Sequence, residues 1–393
     1  MTYYLGKALA WQRWEDRRWS MARVYIESVT PRNLEKKIEA IFSAHDLGMR
    51  GKTVLVKPNM LGPFPGDSGV ITHPEVISAV VKSCLARGAE VMVGDNPGGV
   101  SKGTAAVGEA TGLAAASRGC FIPINRRVKR VKLPSNRISE VLISAIVLEV
   151  DLIINVPVFK THVLTGLTGA IKNTFGYVAG AYKSKLHLKA PSGKLFAALL
   201  CDLFAIRPPD FHIVDALTAM EGNGPSFGRV RKLGKIIAGA DPVAVDATIA
   251  RMMGFDPAEL PLLRIAARRG FGTLKAEEIE YVGETPVVIP DFELLLSFQP
   301  RQPKKGEKGG RTSRATSPEE QTEAAIIVRR STLKPFLAHP DLCVRCGECA
   351  VNCPPRAIKL KPYPRIGRGC ISCFCCVELC PKGALEVNES RGQ

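Results

Sequence analysis

An α/β domain with a largely parallel sheet, followed by a small cysteine-rich domain, is the fold that this sequence predicts. Three observations predict it. Short apolar runs such as TVLVK, LIINV and KIIAG alternate with helical stretches from Met21 to about Pro290, the order that builds parallel sheets with covering helices. These runs are continuously apolar rather than alternating, as strands covered on both faces are. Beyond them the composition changes abruptly, and eight of the 12 cysteines fall into two copies of one spacing.

The predicted strands are Val24 to Val29, Thr53 to Lys57, Glu90 to Gly94, Phe121 to Asn125, Leu152 to Val156, His212 to Asp215 and Lys235 to Ala238. The predicted helices are Asn33 to Leu47, Pro74 to Arg87, Ser101 to Arg118, Lys194 to Ile206, Pro242 to Met253 and Leu260 to Arg269. Residues 299–324 are Pro, Gly, Ser, Lys and Glu with almost nothing to bury, which reads as a flexible tether. The chain therefore divides into an extension (1–21), an α/β domain (22–298), a basic linker (299–325) and a cysteine-rich domain (326–393). The extension carries all three tryptophans, Trp11, Trp14 and Trp19. It reads as a disordered terminus or a start placed too far upstream, with an amphipathic basic helix as the alternative.

At 393 residues and 46% hydrophobic content the chain can bury a sizeable core in two or three domains. Its most apolar stretches, Val141 to Phe159 and Leu195 to Ile206, are broken by Glu149, Asp151 and Asp202, which argues against a membrane span. No secretory signal is visible. Cysteines in ligand spacing rather than in a disulfide framework fit a reducing, cytoplasmic setting. Of the other four, Cys84 and Cys201 sit in apolar helical patterns and read as packed thiols, Cys120 is isolated, and Cys375 lies between two ligand positions as a spare thiol.

The cysteine runs are Cys343-x2-Cys346-x2-Cys349-x3-Cys353-Pro354 and Cys370-x2-Cys373-x2-Cys376-x3-Cys380-Pro381. This is the ligand spacing of two [4Fe-4S] clusters, in which three cysteines wrap one cluster and the distant fourth serves the other. Cys343, Cys346, Cys349 and Cys380 are thus assigned to one cluster, and Cys370, Cys373, Cys376 and Cys353 to the second. Structural zinc is the competing reading, but it uses two cysteine pairs and does not call for this run twice. The formal net charge of +17 would be lowered by about four by two such clusters. The remaining excess sits in Arg126 to Lys132, in the linker (Arg301, Lys304, Lys305, Lys308, Arg311, Arg314) and in the N-terminal tail. Without interleaved aromatics these runs read as solvated faces or as a docking surface for an acidic redox partner protein rather than a nucleic-acid groove.

Polar residues gather where the predicted strands end, which is where open α/β sheets bind ligands. These tips are Lys57-Pro58-Asn59, Asp95-Asn96-Pro97-Gly98-Gly99, Lys160-Thr161-His162 and Met220 to Pro225. Lys57, Lys160 and Lys172 could grip a small anion, and the glycines of GDNPGG and TGLTGAIKN let backbone amides approach it. None of these is a P-loop or a complete dinucleotide fingerprint. The expected catalytic set is Lys57, Asp95, Lys160, His162, Lys172 and Glu221, with Asn59, Asn173, Asn223 and Asp246 as ligand-binding groups. His73 is a further candidate nitrogen. Plainer roles stand beside these: Asp241 as a helix cap, Asp95-Asn96-Pro97 as a turn, His162 as a structural hydrogen bonder, and each lysine as a solvated side chain.

Residues 335–388 resemble a bacterial two-cluster ferredoxin of α+β type. VKPN, THPEV, GDNP, NVPVFKTH, GLTGAIKNTFG, AMEGNGP and ADPVAVDA together resemble the domain-of-unknown-function family 362, described as iron-sulfur-centre proteins. That resemblance implies an α/β domain carrying a C-terminal two-cluster module, and names no substrate. Three functions remain: a redox enzyme whose clusters feed a substrate at the strand tips, an electron carrier whose α/β domain docks a partner protein, or a protein that delivers clusters or a cofactor. An enzyme needs the tip residues to converge, whereas a carrier lets them scatter.

Overall fold

The computed structural model describes residues 21–98, 103–134, 138–295, 298 and 333–389. Residues 1–20 of the N-terminal extension and the whole linker lie outside the described residues. In the larger domain the elements run β1 (Ala22–Ser28), α1 (Leu34–Ala44), β2 (Thr53–Pro58), α2 (Pro74–Ala86), β3 (Glu90–Val93), α3 (Thr104–Ala110), α4 (Leu113–Ala116), β4 (Val128–Lys132) and β5 (Glu140–Ser144). They continue as β6 (Leu152–Val156), β7 (Val158–His162), β8 (Gly166–Thr168), α5 (Ala170–Asn173), α6 (Gly180–Lys189) and α7 (Gly193–Ile206). The domain closes with β9 (Phe211–Glu221), β10 (Arg229–Gly239), α8 (Pro242–Met253), α9 (Pro261–Arg268) and β11 (Ile279–Gly283).

Nine strands form one sheet with the order β11-β1-β10-β9-β6-β2-β3, and β7 and β8 join beside β9. The pairs β9·β6, β6·β2, β2·β3, β7·β9 and β1·β11 are parallel. The sheet is nevertheless mixed, because β10 runs antiparallel to both β1 and β9. A strand inserted by a hairpin must run this way, since β9 and β10 are joined without a crossover helix. Apolar side chains alternate between two cores: Val54, Val56 and Ile154 pack with α1 and α2 on one face, while Leu55 and Ile153 pack with α7, α8 and α9 on the other. The strands read as continuously apolar because both faces are covered.

Several expected elements differ. Phe121 to Asn125 contributes a single parallel bridge, Val93 to Phe121, rather than a strand. The helix expected over Ser101 to Arg118 is described from Thr104 and breaks into α3 and α4 at Gly112, which takes a left-handed φ of 77°. The basic run at Arg126 to Lys132 is largely the strand β4, paired with β5. Arg127 and Lys129 pair there with Glu149, and Arg130 with Glu140, so much of that charge is neutralised locally.

The cysteine module comprises β12 (Leu333–Leu337), α10 (Glu348–Val351), β13 (Ile358–Leu360), β14 (Pro364–Ile366), α11 (Cys375–Glu378) and β15 (Leu385–Glu389). β12 pairs with β15 and β13 with β14, both antiparallel. The two halves repeat their backbone as well as their cysteines. Left-handed residues Arg345, Gly347 and Arg356 in the first half recur as Ser372, Phe374 and Gly383 in the second, each 27 positions later. The module's core, including Phe374, Cys376, Val377 and Leu385, is continuous with that of the larger domain.

Candidate functional site at the interface of the two domains

At the end of β2, Lys57 is fully buried and its ammonium lies 2.7 Å from Asp95 Oδ1, just past β3. The other Asp95 oxygen accepts the Met60 amide at 2.9 Å. Gly176 packs against this pair so closely that a Cβ there would lie 1.9 Å from Asp95 Oδ1. Asn96 donates to Ser144 Oγ and to the Gly176 carbonyl at 2.9 and 2.8 Å. The Lys183 ammonium on α6 donates to the Asn96 and Pro97 carbonyls at 2.6 and 3.2 Å. The β3 tip is thereby fixed from both sides.

The strand β7 supplies the next groups. Lys160 is buried and donates to the carbonyls of Val70 and Pro225 at 2.6 and 3.3 Å. The His162 Nδ1 accepts the Leu164 amide at 3.1 Å. The neutral ring therefore carries its proton on Nε2, which lies 3.2 Å from Glu378 Oε1 of the cysteine module. Lys172, on the short helix α5, forms no hydrogen bond or ion pair among the described residues. It lines a cavity together with His162, Lys183, His187, Cys375 and Glu378. The cavity holds about 50 Å³, room for a few waters or a small anion and well short of a drug-sized site. Its aromatic wall is built from Phe175, His187 and Phe196, with the last two rings stacked at 4.5 Å.

Electrostatics ties these groups together. Burial pushes the Lys160 ammonium well below its ordinary range, and Lys172 pushes it the same way. Burial likewise lowers Lys57 and Lys172, opposed by Asp95 and Glu378 respectively. It lowers Lys183 to about 8 and, with Lys172 next in effect, His162 to about 3. Burial alone would raise Glu378, but His162, Lys172 and His187 hold it at about 2, so it stays ionised. Four lysines thus share one buried neighbourhood with two carboxylates, Asp95 and Glu378. Such an excess of buried ammonium groups is relieved by proton loss, the direction in which burial pushes all four, or by an anion that completes it. Unpartnered buried acceptors also remain at Asn59 Oδ1, Asn96 Oδ1 and Asn173 Oδ1.

The structure brings Lys57, Asp95, Lys160, His162 and Lys172 into one set, with Asn59 and Asn173 beside it, and it does not bring Glu221, Asn223 and Asp246 there. Both carboxylate oxygens of Glu221 are held by Arg229 and Arg231, at 2.6 and 3.1 Å, at the turn end of the β9-β10 hairpin. Asn223 is exposed in that turn. Asp246 projects from α8 and accepts the Ala170 and Ile171 amides at 2.5 and 3.1 Å, capping α5. Asn173 donates to Asn155 Oδ1 at 2.8 Å and to the Pro58 carbonyl at 3.3 Å, bracing β2 against α5. The Asn59 amide donates to Thr72 Oγ1 at 2.8 Å. His73 caps α2 by accepting the Glu75 amide, and Asp241 caps α8 at the Ala244 amide. Lys183, His187, Phe175, Phe196, Cys375 and Glu378 were missed. Lys183 and His187 carried one signal, since they stand four apart on one helical face. Glu378 carried another: it occupies the place that the exposed Val351 takes in the first half of the module.

The cysteines fall into two sets. Cys343, Cys346, Cys349 and Cys380 line one recess, and burial followed by Cys380, Cys346 and Cys343 raises the Cys349 thiol to about 11. Cys353 lies beside Cys373 and Cys370, distant in sequence. Amides of Ala357, Ser372 and Ala384 donate to the sulfurs of Cys353, Cys370 and Cys380 at 3.2, 3.4 and 3.3 Å. Among the described residues, no three His, Cys, Asp or Glu side chains meet as donors for one metal ion.

The fold and site define a mixed α/β domain whose strand-tip cavity is closed by a cysteine module. Residues 54–251 match DUF362, a domain of unknown function, and the chain belongs to that family. A thylakoid-associated protein of Synechocystis sp. (strain ATCC 27184 / PCC 6803 / Kazusa) is 33% identical over 231 residues, covering 58% of this chain and 71% of that protein. Among solved structures, the lactate racemase apoprotein from Thermoanaerobacterium thermosaccharolyticum gives a TM-score of 0.35 at 14% identity. The likeness covers 56% of this chain and spans about half the length of that protein, 54%. No helix among the described residues is long and apolar enough to cross a membrane.

Proposed function

We propose that the chain is an iron-sulfur redox enzyme in which two [4Fe-4S] clusters relay single electrons to a small anion bound between the domains. The single observation that carries this reading is the cavity itself. Its lysines come from the α/β domain, and its facing wall, Cys375 and Glu378, comes from the cysteine run. An electron carrier that merely docked a partner would have no need to seal its own strand tips with its redox module.

The cysteines fit the clusters. Four cysteines around one recess, with the fourth contributed by the opposite run, match the exchanged ligation of two-cluster ferredoxins. A single zinc would draw four sulfurs to about 3.8 Å of one another at Zn–S distances of about 2.3 Å, whereas a cube binds each thiolate at a separate iron corner. The three amide-to-sulfur hydrogen bonds would stabilise the anionic cluster and tune its potential. Cys343, Cys346, Cys349 and Cys380 would hold the first cluster, and Cys353, Cys370, Cys373 and Cys376 the second. The clusters would supply one-electron chemistry. The chain's own part is to place Lys172 and Lys183 against the anion, hold a proton at His162 Nε2, and exclude bulk water with α11.

Anaerobic purification, with iron and sulfide analysis and mass spectrometry of any co-purifying anion, tests the proposal. About eight irons per chain and an anion lost from Lys172→Ala are expected. Zinc without sulfide, or a co-purifying compound indifferent to Lys172→Ala, would overturn it.

A further inference from the structure

The two halves of the cysteine module are alike in backbone and opposite in surroundings. In the second half, α11 is wholly buried against the α/β domain, where Ser226 Oγ donates to the Glu378 carbonyl at 2.8 Å and Phe227 fills the space beside Gly383. In the first half the equivalent surface faces outward. Cys346 is exposed, exposed Val344 and Leu360 line its recess, and Leu342, Val351 and Tyr363 are exposed elsewhere in the first half and the turn that follows it. Apolar surface gathered beside one cysteine recess marks an interaction site.

Charge names the kind of partner. Arg345 and Lys382 border the same recess, and Lys359, Lys361 and Arg365 stand exposed on β13, β14 and their turn, against the carboxylates of Asp341 and Glu348. Lys359 and Arg365 are direct cross-strand partners, so two like charges face each other at the rim of the recess, on the outer face of the small sheet whose inner face lines the recess through Leu360 and Pro364. That placement destabilises the pair, and folding gives no reason for it. An anionic surface laid across it would.

We propose that this face is the electron entry site, and that its occupant is an acidic one-electron carrier protein with an apolar patch over its own redox centre. The inference rests on the redox reading above. One electron would pass from the reduced carrier to the cluster that Cys343, Cys346, Cys349 and Cys380 would hold. No bond forms or breaks. The second cluster, behind α11, is then the exit toward the cavity, so the asymmetry of burial gives the relay a direction.

The test uses the anaerobically purified full chain and the double variant Lys359→Glu with Lys382→Glu. Lys359→Glu turns the repulsive cross-strand pair into an attractive one with Arg365, so the variant keeps its fold. A reduced acidic [2Fe-2S] ferredoxin and a zwitterionic viologen serve as probes in stopped-flow reduction. The variant is expected to accept electrons from the ferredoxin at least about ten-fold more slowly at low salt, and from the viologen at the wild-type rate. Calorimetric affinity for the oxidised ferredoxin should fall by a similar factor. Equal rates for variant and wild type with the ferredoxin, or equal slowing with both probes, would overturn the entry site. Wild-type protein lacking iron and sulfide would instead overturn the redox reading itself.

Discussion

Glu378 Oε1 of the cysteine module lies 3.2 Å from His162 Nε2 at the end of β7. A buried carboxylate thus meets a buried neutral imidazole across a domain boundary, the ring's tautomer being set by the Leu164 amide at Nδ1. Because α11 also carries Cys376, the wall of the cavity and the ligand of one proposed cluster are the same short helix.

The Lys57-Asp95 pair should dominate the stability of the site. Asp95→Ala leaves a fully buried ammonium without its carboxylate, which should cost about 3 to 5 kcal/mol in denaturant titration. The double change Lys57→Met with Asp95→Ala should recover part of that loss. Gly176→Ala, whose Cβ would meet both partners, should behave like Asp95→Ala rather than like an ordinary glycine replacement.

Asp246 gives a pH dependence of definite sign. Burial raises its carboxyl from 3.8 to about 7, so the folded protein keeps a proton that the unfolded chain releases. Stability from this group is full below pH about 4 and is lost as pH rises through about 7. Asp246→Asn does not titrate, and its unfolding midpoint should fall less steeply over that window. Some slope should remain from Asp241, which burial raises to about 6. Parallel slopes for the two proteins would count against the assignment.

Exchange of the fourth ligand makes a separate prediction. Cys380→Ala should remove the cluster held by Cys343, Cys346 and Cys349 rather than the one nearest in sequence, and Cys353→Ala the reverse. Each variant should keep about four irons, and only Cys353→Ala should disturb the cavity, since α11 carries Cys376, which would be a ligand of that second cluster. Binding of the co-purified anion, measured by calorimetry, distinguishes the two.

Much of this was legible in the sequence because the causes were local. The apolar runs at Thr53 to Lys57 and Leu152 to Val156 formed strands where expected, and Pro74, Pro242 and Asp241 marked helix starts. Lys57, Asp95, Lys160, His162 and Lys172 were readable as strand-tip groups. Glu221 misled because β9 continues past the sheet edge into a hairpin, where nearby Arg229 and Arg231 neutralise it. Asp246 misled because its amide partners lie about 75 residues away in the chain. The cavity's second wall was not legible at all: it depends on a contact between His162 and Glu378 that no local pattern encodes, apart from the substitution of Glu378 for the exposed Val351 between the two halves.

Potentiometric titration of the reduced clusters, followed by electron paramagnetic resonance, tests the central claim most directly. Two one-electron waves are expected from the wild type. Glu378→Gln removes a negative charge beside the cavity-facing cluster and should raise the potential of one wave. Lys172→Met removes a positive charge and should lower the same wave, leaving the other in place. Absence of reducible clusters, or two waves that neither substitution moves, would contradict the account.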